Sequence, residues 1–381
     1  MDFAWSDEQK QLREAIYQLA RAELNEGLVE REARGEFNHR GWRLLAGFGI
    51  QGMPIPEQWG GMGLDALTCV GVLESLGHGC KDNGLVFSAN AHMWTAALPL
   101  LDFGSEEQKR RYLPGLCDGS LIGGNAMTEP EAGSDAYSLA TRAEKRGDRY
   151  VLNGSKIYIT NGSIADLLVV FATVDPAKGA NGISAFLVEK GFRGFQAGPP
   201  MRKMGTRTSP TTEVFLDDCE VPETNRLGKE GAGKMLFAHS MTWERACILA
   251  SAVGSMQRLL DASIAYARTR KQFGSPIGQF QRVADRIVDM KLRVETARGL
   301  LYRAAWLRDQ RRSIFLEAAM TKLHISESWV ACAEDAIQIH GGAGYMQDQE
   351  IERELRDAIG SRIYSGTSEI QRALIASLLG L

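Results

Sequence analysis

Glu244 and Arg245 adjoin in SMTWERACILA, and their neighbours Trp243, Ala246, Cys247 and Ile248 are apolar. A Glu-Arg pair on a helix is ordinarily a solvated face or a salt bridge. The apolar flanks set this one at least partly inside, where a carboxylate suits proton abstraction. A second stretch, RIYSGTSEIQ (362–371), reads as a turn and a helix start. Its Ser365 is a poor base unless another group activates it, and no histidine lies close in sequence. TEPEAGSD (128–135) alone would be a solvated loop with a helix cap, and GGAGY (341–345) a helix C-terminus. Neither is a GxGxxG fingerprint in a βαβ setting, so a nicotinamide-type Rossmann site is not expected. The six cysteines form no CxxC pair and the six histidines no HExxH, so no metal site is expected.

These residues need elements to hold them. Residues 1–119 read as a helical domain, with Ser6 ahead of Glu8 and Gln9 as a helix start and a further helix over Asp65 to Leu76. EEQKRRYLPGLCDGS reads as the end of one helix and a short turn. Residues 120–231 change to short β-branched and aromatic runs, among them ADLLVVFATV and TTEVFLDDCEVP. Asn-Gly at 153–154 and 161–162 signals tight turns, and the block reads as an antiparallel β domain. Residues 232–381 return to long helices with broad apolar stripes, including one continuous helix over 241–270, and fit a four-helix bundle. The expected fold class is therefore α+β.

A chain of 381 residues with 24% charged residues and a net charge of −3 is an ordinary globular protein with no bias toward nucleic acid. The N-terminus has acidic residues from position 2 and no apolar h-region, and no apolar run reaches a membrane span. Scattered cysteines fit a reducing compartment, so a cytoplasmic location is expected.

Six stretches in order resemble the acyl-CoA dehydrogenases: AMTEPEAGSD (126–135), KIYITNG (156–162), RKMGTRTSPTTEVFLDDCEVP (202–222), RTRKQFGSPIGQFQ (268–281), IQIHGGAGY (337–345) and IYSGTSEIQR (363–372). The resemblance runs nearly end to end and matches the α–β–α order. It implies FAD, held between the β domain, the C-terminal bundle and a neighbouring subunit, and a homotetramer. By resemblance Met127, Thr128, Gly133, Ser134, Tyr158 and Thr160 contact the flavin, pyrophosphate or thioester. Tyr158 stands where Trp is frequent. Arg270, Phe273, Gln338 and Gly342 would reach FAD bound in an adjacent subunit. Thr367 and Glu369 would lie near FAD, Glu369 replacing a frequent Gln.

Much of that family carries its catalytic glutamate directly before the glycine of the last motif, where this chain has Ser365. Isovaleryl-CoA and long-chain type members instead take the base from the helix opening the C-terminal domain, a Glu before an Arg. The resemblance thus implies Glu244 as base and Arg245 as a thioester-site residue, with Ser365 contributing its backbone N–H to the thioester carbonyl. The expected activity is α,β-dehydrogenation of an acyl thioester, with a branched or bulky acyl group favoured. The alternative is a carrier-protein-tethered acyl or prolyl thioester, because members that oxidise a prolyl thioester share this Glu and SGT combination. Electrons would pass to an electron-transferring flavoprotein or to oxygen.

Overall fold

The computed structural model describes residues 4–381. The N-terminal domain comprises α1 (Asp7–Leu19), α2 (Leu28–Arg34), α3 (His39–Phe48), α4 (Ala66–Gly79), α5 (Asn83–His92), α6 (Leu98–Phe103) and α7 (Glu106–Cys117). A capping box opens α1, the Ser6 hydroxyl accepting from the Gln9 N–H and the Gln9 side chain accepting from the Ser6 N–H. Ser105 and Gln108 repeat that device, so EEQKRRYLPGLC begins a helix of its own instead of ending one. Between α5 and α6 the chain widens into a π-turn, Met93–Ala97, which carries Trp94 and Thr95.

The middle domain is a sheet ordered β6–β7–β3–β2–β4–β5–β8, with β1 also paired to β4. The strands are β1 (Gly123–Ala126), β2 (Arg142–Arg146), β3 (Arg149–Thr160), β4 (Leu167–Thr173), β5 (Ile183–Glu189), β6 (Phe195–Ala197), β7 (Thr211–Pro222) and β8 (Arg226–Leu227). Most pairings are antiparallel as expected, but β1 and β2 meet β4 in parallel, making the sheet mixed. β4 is buried along its whole length, and its period-2 alternation serves two cores. Leu167, Val169 and Phe171 face the large core shared with the helices, while Leu168, Val170 and Ala172 face the second core of the β domain. Asn161–Gly162 turns the chain after β3, but Asn153–Gly154 lies inside β3, at a register shift against β7.

The C-terminal bundle contains α8 (Gly233–Cys247), α9 (Ala250–Thr269), α10 (Gln281–Asp309), α11 (Phe315–His340), α12 (Gly342–Tyr345), α13 (Ile351–Ser361) and α14 (Ser368–Leu378). A small hairpin, β9 (Lys271–Gln272) with β10 (Ser275–Pro276), follows α9. The helix expected over 241–270 is broken at Ile248–Leu249, where Leu249 leaves helical geometry at φ −95, ψ 11. Neither glycine nor proline marks this break, and apolar residues continue across it, so the sequence carries no local signal for it. It ends α8 one turn after Glu244, whose carbonyl accepts from the Ile248 N–H at 2.8 Å. α9 then crosses α4 at backbone contact: a Cβ on Gly77 would lie 1.9 Å from the Ser251 carbonyl, and one on Gly254 1.9 Å from the Glu74 carbonyl. That contact docks the bundle on the N-terminal domain just beyond the break.

Candidate active site

A cleft of about 450 Å³ opens where the three domains meet. Phe87, Ala91 and Thr95 wall it from the N-terminal helices; Asn125 to Ala136 and Tyr158 to Thr160 from the sheet; and Phe237 to Ile248 and Ile363 to Ile370 from the bundle. It brings together Met127, Thr128, Gly133, Ser134, Tyr158, Thr160, Glu244, Arg245, Ser365 and Thr367. Met127 is buried, and Ser134 is exposed on the loop before β2. Tyr158 stands at a β-bulge with φ +59, and the irregular pairing between Lys156 and Ile159 leaves its ring 66% exposed over the cleft.

Glu244 is 8% exposed on the cleft wall. Burial pushes its carboxyl above the usual carboxylate range, while a hydrogen bond from Ser365 and the positive charges of Arg245 and Lys322 pull the other way. The Ser365 hydroxyl donates to Glu244 Oε1 at 2.5 Å. Beside it, Trp243 stacks on Trp94 with ring centroids 5.6 Å apart and planes 11° apart, and the Arg308 guanidinium lies 4.2 Å from the Trp243 ring centre. These aromatic contacts fix the last turn of α8 from both the π-turn and α10.

Ser365 has φ +58 and Gly366 φ +88, so two successive residues of the turn are left-handed. A serine there is strained where a glycine is not. The turn is held by its carbonyls: Ser365 O accepts from Arg245 Nε at 3.3 Å and Gln371 Nε2 at 3.0 Å. Gly366 O accepts from Gln371 Nε2 at 3.0 Å and Lys322 Nζ at 2.7 Å. The Ser365 N–H has no acceptor among the described residues. Thr367 then caps α14, its hydroxyl accepting from the Ile370 N–H at 3.3 Å.

Arg270, Phe273, Gln338, Gly342 and Glu369 lie outside the cleft. Glu369 is exposed in the first turn of α14, where backbone N–H bonding and the Thr367 hydroxyl hold its carboxyl below the ordinary range. The other four are exposed at one end of the bundle, Phe273 at 95%. There Tyr266 stacks on His340 at 4.3 Å, binding the end of α9 to the end of α11. Lys322, Gln371, Asn125 and the pair Lys156–Glu129 were not singled out from the sequence. Gln371 and Glu129 stand within the quoted motifs, whereas Lys322 is one lysine on an amphipathic helix, with no pattern to distinguish it.

The chain belongs to the acyl-CoA dehydrogenase family. Models of that family's N-terminal, middle and C-terminal domains match residues 6–120, 124–219 and 231–380. It is an FAD-dependent acyl-thioester dehydrogenase by family. It is 45% identical to the L-prolyl-[peptidyl-carrier protein] dehydrogenase of Pseudomonas fluorescens over 100% of both chains. It superposes on the crystal structure of the prolyl acyl carrier protein oxidase AnaB with a TM-score of 0.98 at 52% identity, covering 99% of this chain and 100% of that one. PigA with FAD and proline matches with a TM-score of 0.97 at 42% identity, over 100% of both chains.

The cleft's donor set fits a flavin. Apolar Met127 and Ile370 and the Tyr158 ring suit a flat aromatic system, and the hydroxyls of Thr128, Ser134 and Thr160 suit its polar edge and phosphates. Asn125 Nδ2 is buried on the cleft wall with no hydrogen-bond partner among the described residues, a donor that awaits an acceptor.

Proposed function

We propose that this enzyme dehydrogenates an L-prolyl thioester carried on a carrier protein, the reading the sequence placed second to a branched or bulky acyl thioester. Glu244 removes the α proton. Bound FAD supplies the acceptor for the β hydride. What supports Glu244 as the base is a buried carboxylate on the cleft wall, 2.5 Å from a hydroxyl that favours its ionised form. The unpartnered Ser365 N–H is the donor for the thioester carbonyl, where charge develops as the proton leaves. Arg245, half-buried next to Glu244, donates to the Ser365 carbonyl and holds the turn, and its charge favours the ionised form of Glu244. The three prolyl-related proteins matched above support the choice of acyl group and handle.

Met127, Thr128, Gly133, Ser134, Tyr158, Thr160 and Thr367 would hold the flavin within the subunit, with Glu369 at the edge of the site. Arg270, Phe273, Gln338 and Gly342 would complete the site of a neighbouring subunit in a homotetramer; their exposure together at one end of the bundle supports this. The three-domain division at 119/120 and 231/232 and a cytoplasmic location belong to the same reading. No helix among the described residues is long and apolar enough to cross a membrane. One prolyl relative is described as a dehydrogenase and another as an oxidase, so the acceptor is an electron-transferring flavoprotein or oxygen.

The test is a panel of prolyl, branched and straight-chain thioesters, each offered on CoA and on a carrier protein, with anaerobic flavin bleaching as readout. Bleaching by prolyl carrier protein well above every CoA thioester is expected. Faster bleaching by a branched acyl-CoA would overturn the substrate assignment. Reoxidation rates with oxygen and with an electron-transferring flavoprotein then identify the acceptor.

A further inference from the structure

The turn at Ser365–Gly366 is built in an unusual way. Both residues are left-handed, and both carbonyls point inward onto side chains from two other helices: Arg245 of α8 and Lys322 of α11, with Gln371 bridging the two oxygens. Lys322 is fully buried, and its ammonium, 2.7 Å from the Gly366 carbonyl, makes no salt bridge among the described residues. A buried cation without a paired carboxylate is costly. Its carbonyl contact places it beneath the very turn that delivers the Ser365 hydroxyl to Glu244 at 2.5 Å.

We propose that Ser365 is a positioning residue for Glu244 through its side chain, and that Lys322 positions Ser365 by pinning the turn. With the carbonyls drawn inward, the Ser365 hydroxyl and N–H are turned to the cleft side. The hydroxyl has one proton and gives it to Glu244 Oε1, which fixes the carboxylate's rotamer and favours its charged form. The charged and titratable groups around Glu244 are Arg245 on its own helix, Lys322 on α11, and Tyr364 beside Ser365. Lys322 in turn faces Arg245, Glu327, Glu244 and Glu369, and burial lowers its ammonium to about 8. Of these groups only Ser365 hydrogen-bonds the Glu244 carboxylate. This inference rests on Glu244 being the base.

The test uses the flavin-loaded enzyme and measures the pH dependence of anaerobic flavin bleaching, together with the infrared carboxyl band of Glu244 as pH is varied without substrate. Ser365→Ala and Ser365→Gly both remove the hydroxyl, but the glycine also relieves the backbone strain. Both should move the rise of the bleaching rate, and the loss of the protonated carboxyl band, to higher pH by about one unit. Lys322→Met should move both in the same direction. An unchanged pH profile in Ser365→Ala and Ser365→Gly overturns the positioning role even if their rates fall. An unchanged profile in Lys322→Met overturns its part. Glu244→Gln separates this from the underlying assignment: if that variant still bleaches, the base is misassigned, whatever the serine variants do.

Discussion

Lys156 and Glu129 meet at 2.7 Å in the protein interior, their side chains 0% and 5% exposed. The pair joins β3 to the loop that forms one wall of the cleft. Lys156 also donates to the Met127 carbonyl at 3.2 Å, and Glu129 accepts from the Ala140 and Thr141 N–H groups at 2.5 and 3.0 Å. Burial raises the Glu129 carboxyl, but the Lys156 charge and these hydrogen bonds outweigh it and leave it below the ordinary range. Burial lowers the Lys156 ammonium, while the charge and hydrogen bond of Glu129 pull it back up. The loop bearing Met127 and Thr128 is thus anchored by a fully desolvated ion pair.

Breaking that pair from one side should therefore be costly. Lys156→Met leaves an ionised carboxylate buried without its cation and is expected to destabilise the protein by about 3–5 kcal/mol. Urea midpoints measure this. The same variant should release flavin more readily at a urea concentration where it is still folded, because the wall of the cleft loses its tether.

Acid should act through His92. Its Nδ1 accepts from the Gly123 N–H at 2.8 Å, so Nε2 carries the proton and donates to the Leu116 carbonyl at 2.9 Å. This fully buried ring joins α5 to α7 and β1 only in its neutral form. Burial lowers its pKa from 6.5 to about 4. Between these values the unfolded chain binds a proton that the folded one does not, so stability is lost as pH falls through that window. The full loss is about 3 kcal/mol. Denaturant midpoints at pH 7 and 4.5 should show most of it, and His92→Gln should flatten the slope even though it lowers stability at pH 7.

The exposed end of the bundle makes a separate prediction. Arg270→Ala and Phe273→Ala remove exposed side chains, Phe273 meeting the edge of Phe280, so folded-state stability of the flavin-free protein should change by no more than about 0.5 kcal/mol. Flavin content after gel filtration should fall markedly in both, and sedimentation should show whether assembly weakens with it. Full flavin retention in both variants would remove these residues from the cofactor site.

Much of this was legible in the sequence, for identifiable reasons. Strand and helix runs followed period 2 and period 3.6 because each element has one or two buried faces. Glu244 stood out in the sequence because its motif has apolar flanks and because Ser365 occupies the place of the usual glutamate, and the structure sets it on the cleft wall; its role as base is the proposal. The break at Ile248–Leu249 was not legible, since apolar residues run across it without a glycine or proline, and the α9–α4 contact just beyond it joins Gly77 and Gly254, residues far apart in the chain. Parallel pairing of β1 with β4 is likewise a tertiary outcome. The hydrogen bond from Ser365 to Glu244 was hidden, because it depends on a left-handed backbone that sequence does not display for a serine and on a helix 121 positions away. Lys322 was hidden because burial, not spacing, makes it unusual.

Anaerobic flavin bleaching by prolyl carrier protein, compared in the wild type and in Glu244→Gln, tests Glu244 as the base most directly. Prompt bleaching is expected in the first and a loss of at least about 10³-fold in the second, with flavin content and fold unchanged. Bleaching of Glu244→Gln within a few-fold of the wild-type rate would contradict that assignment.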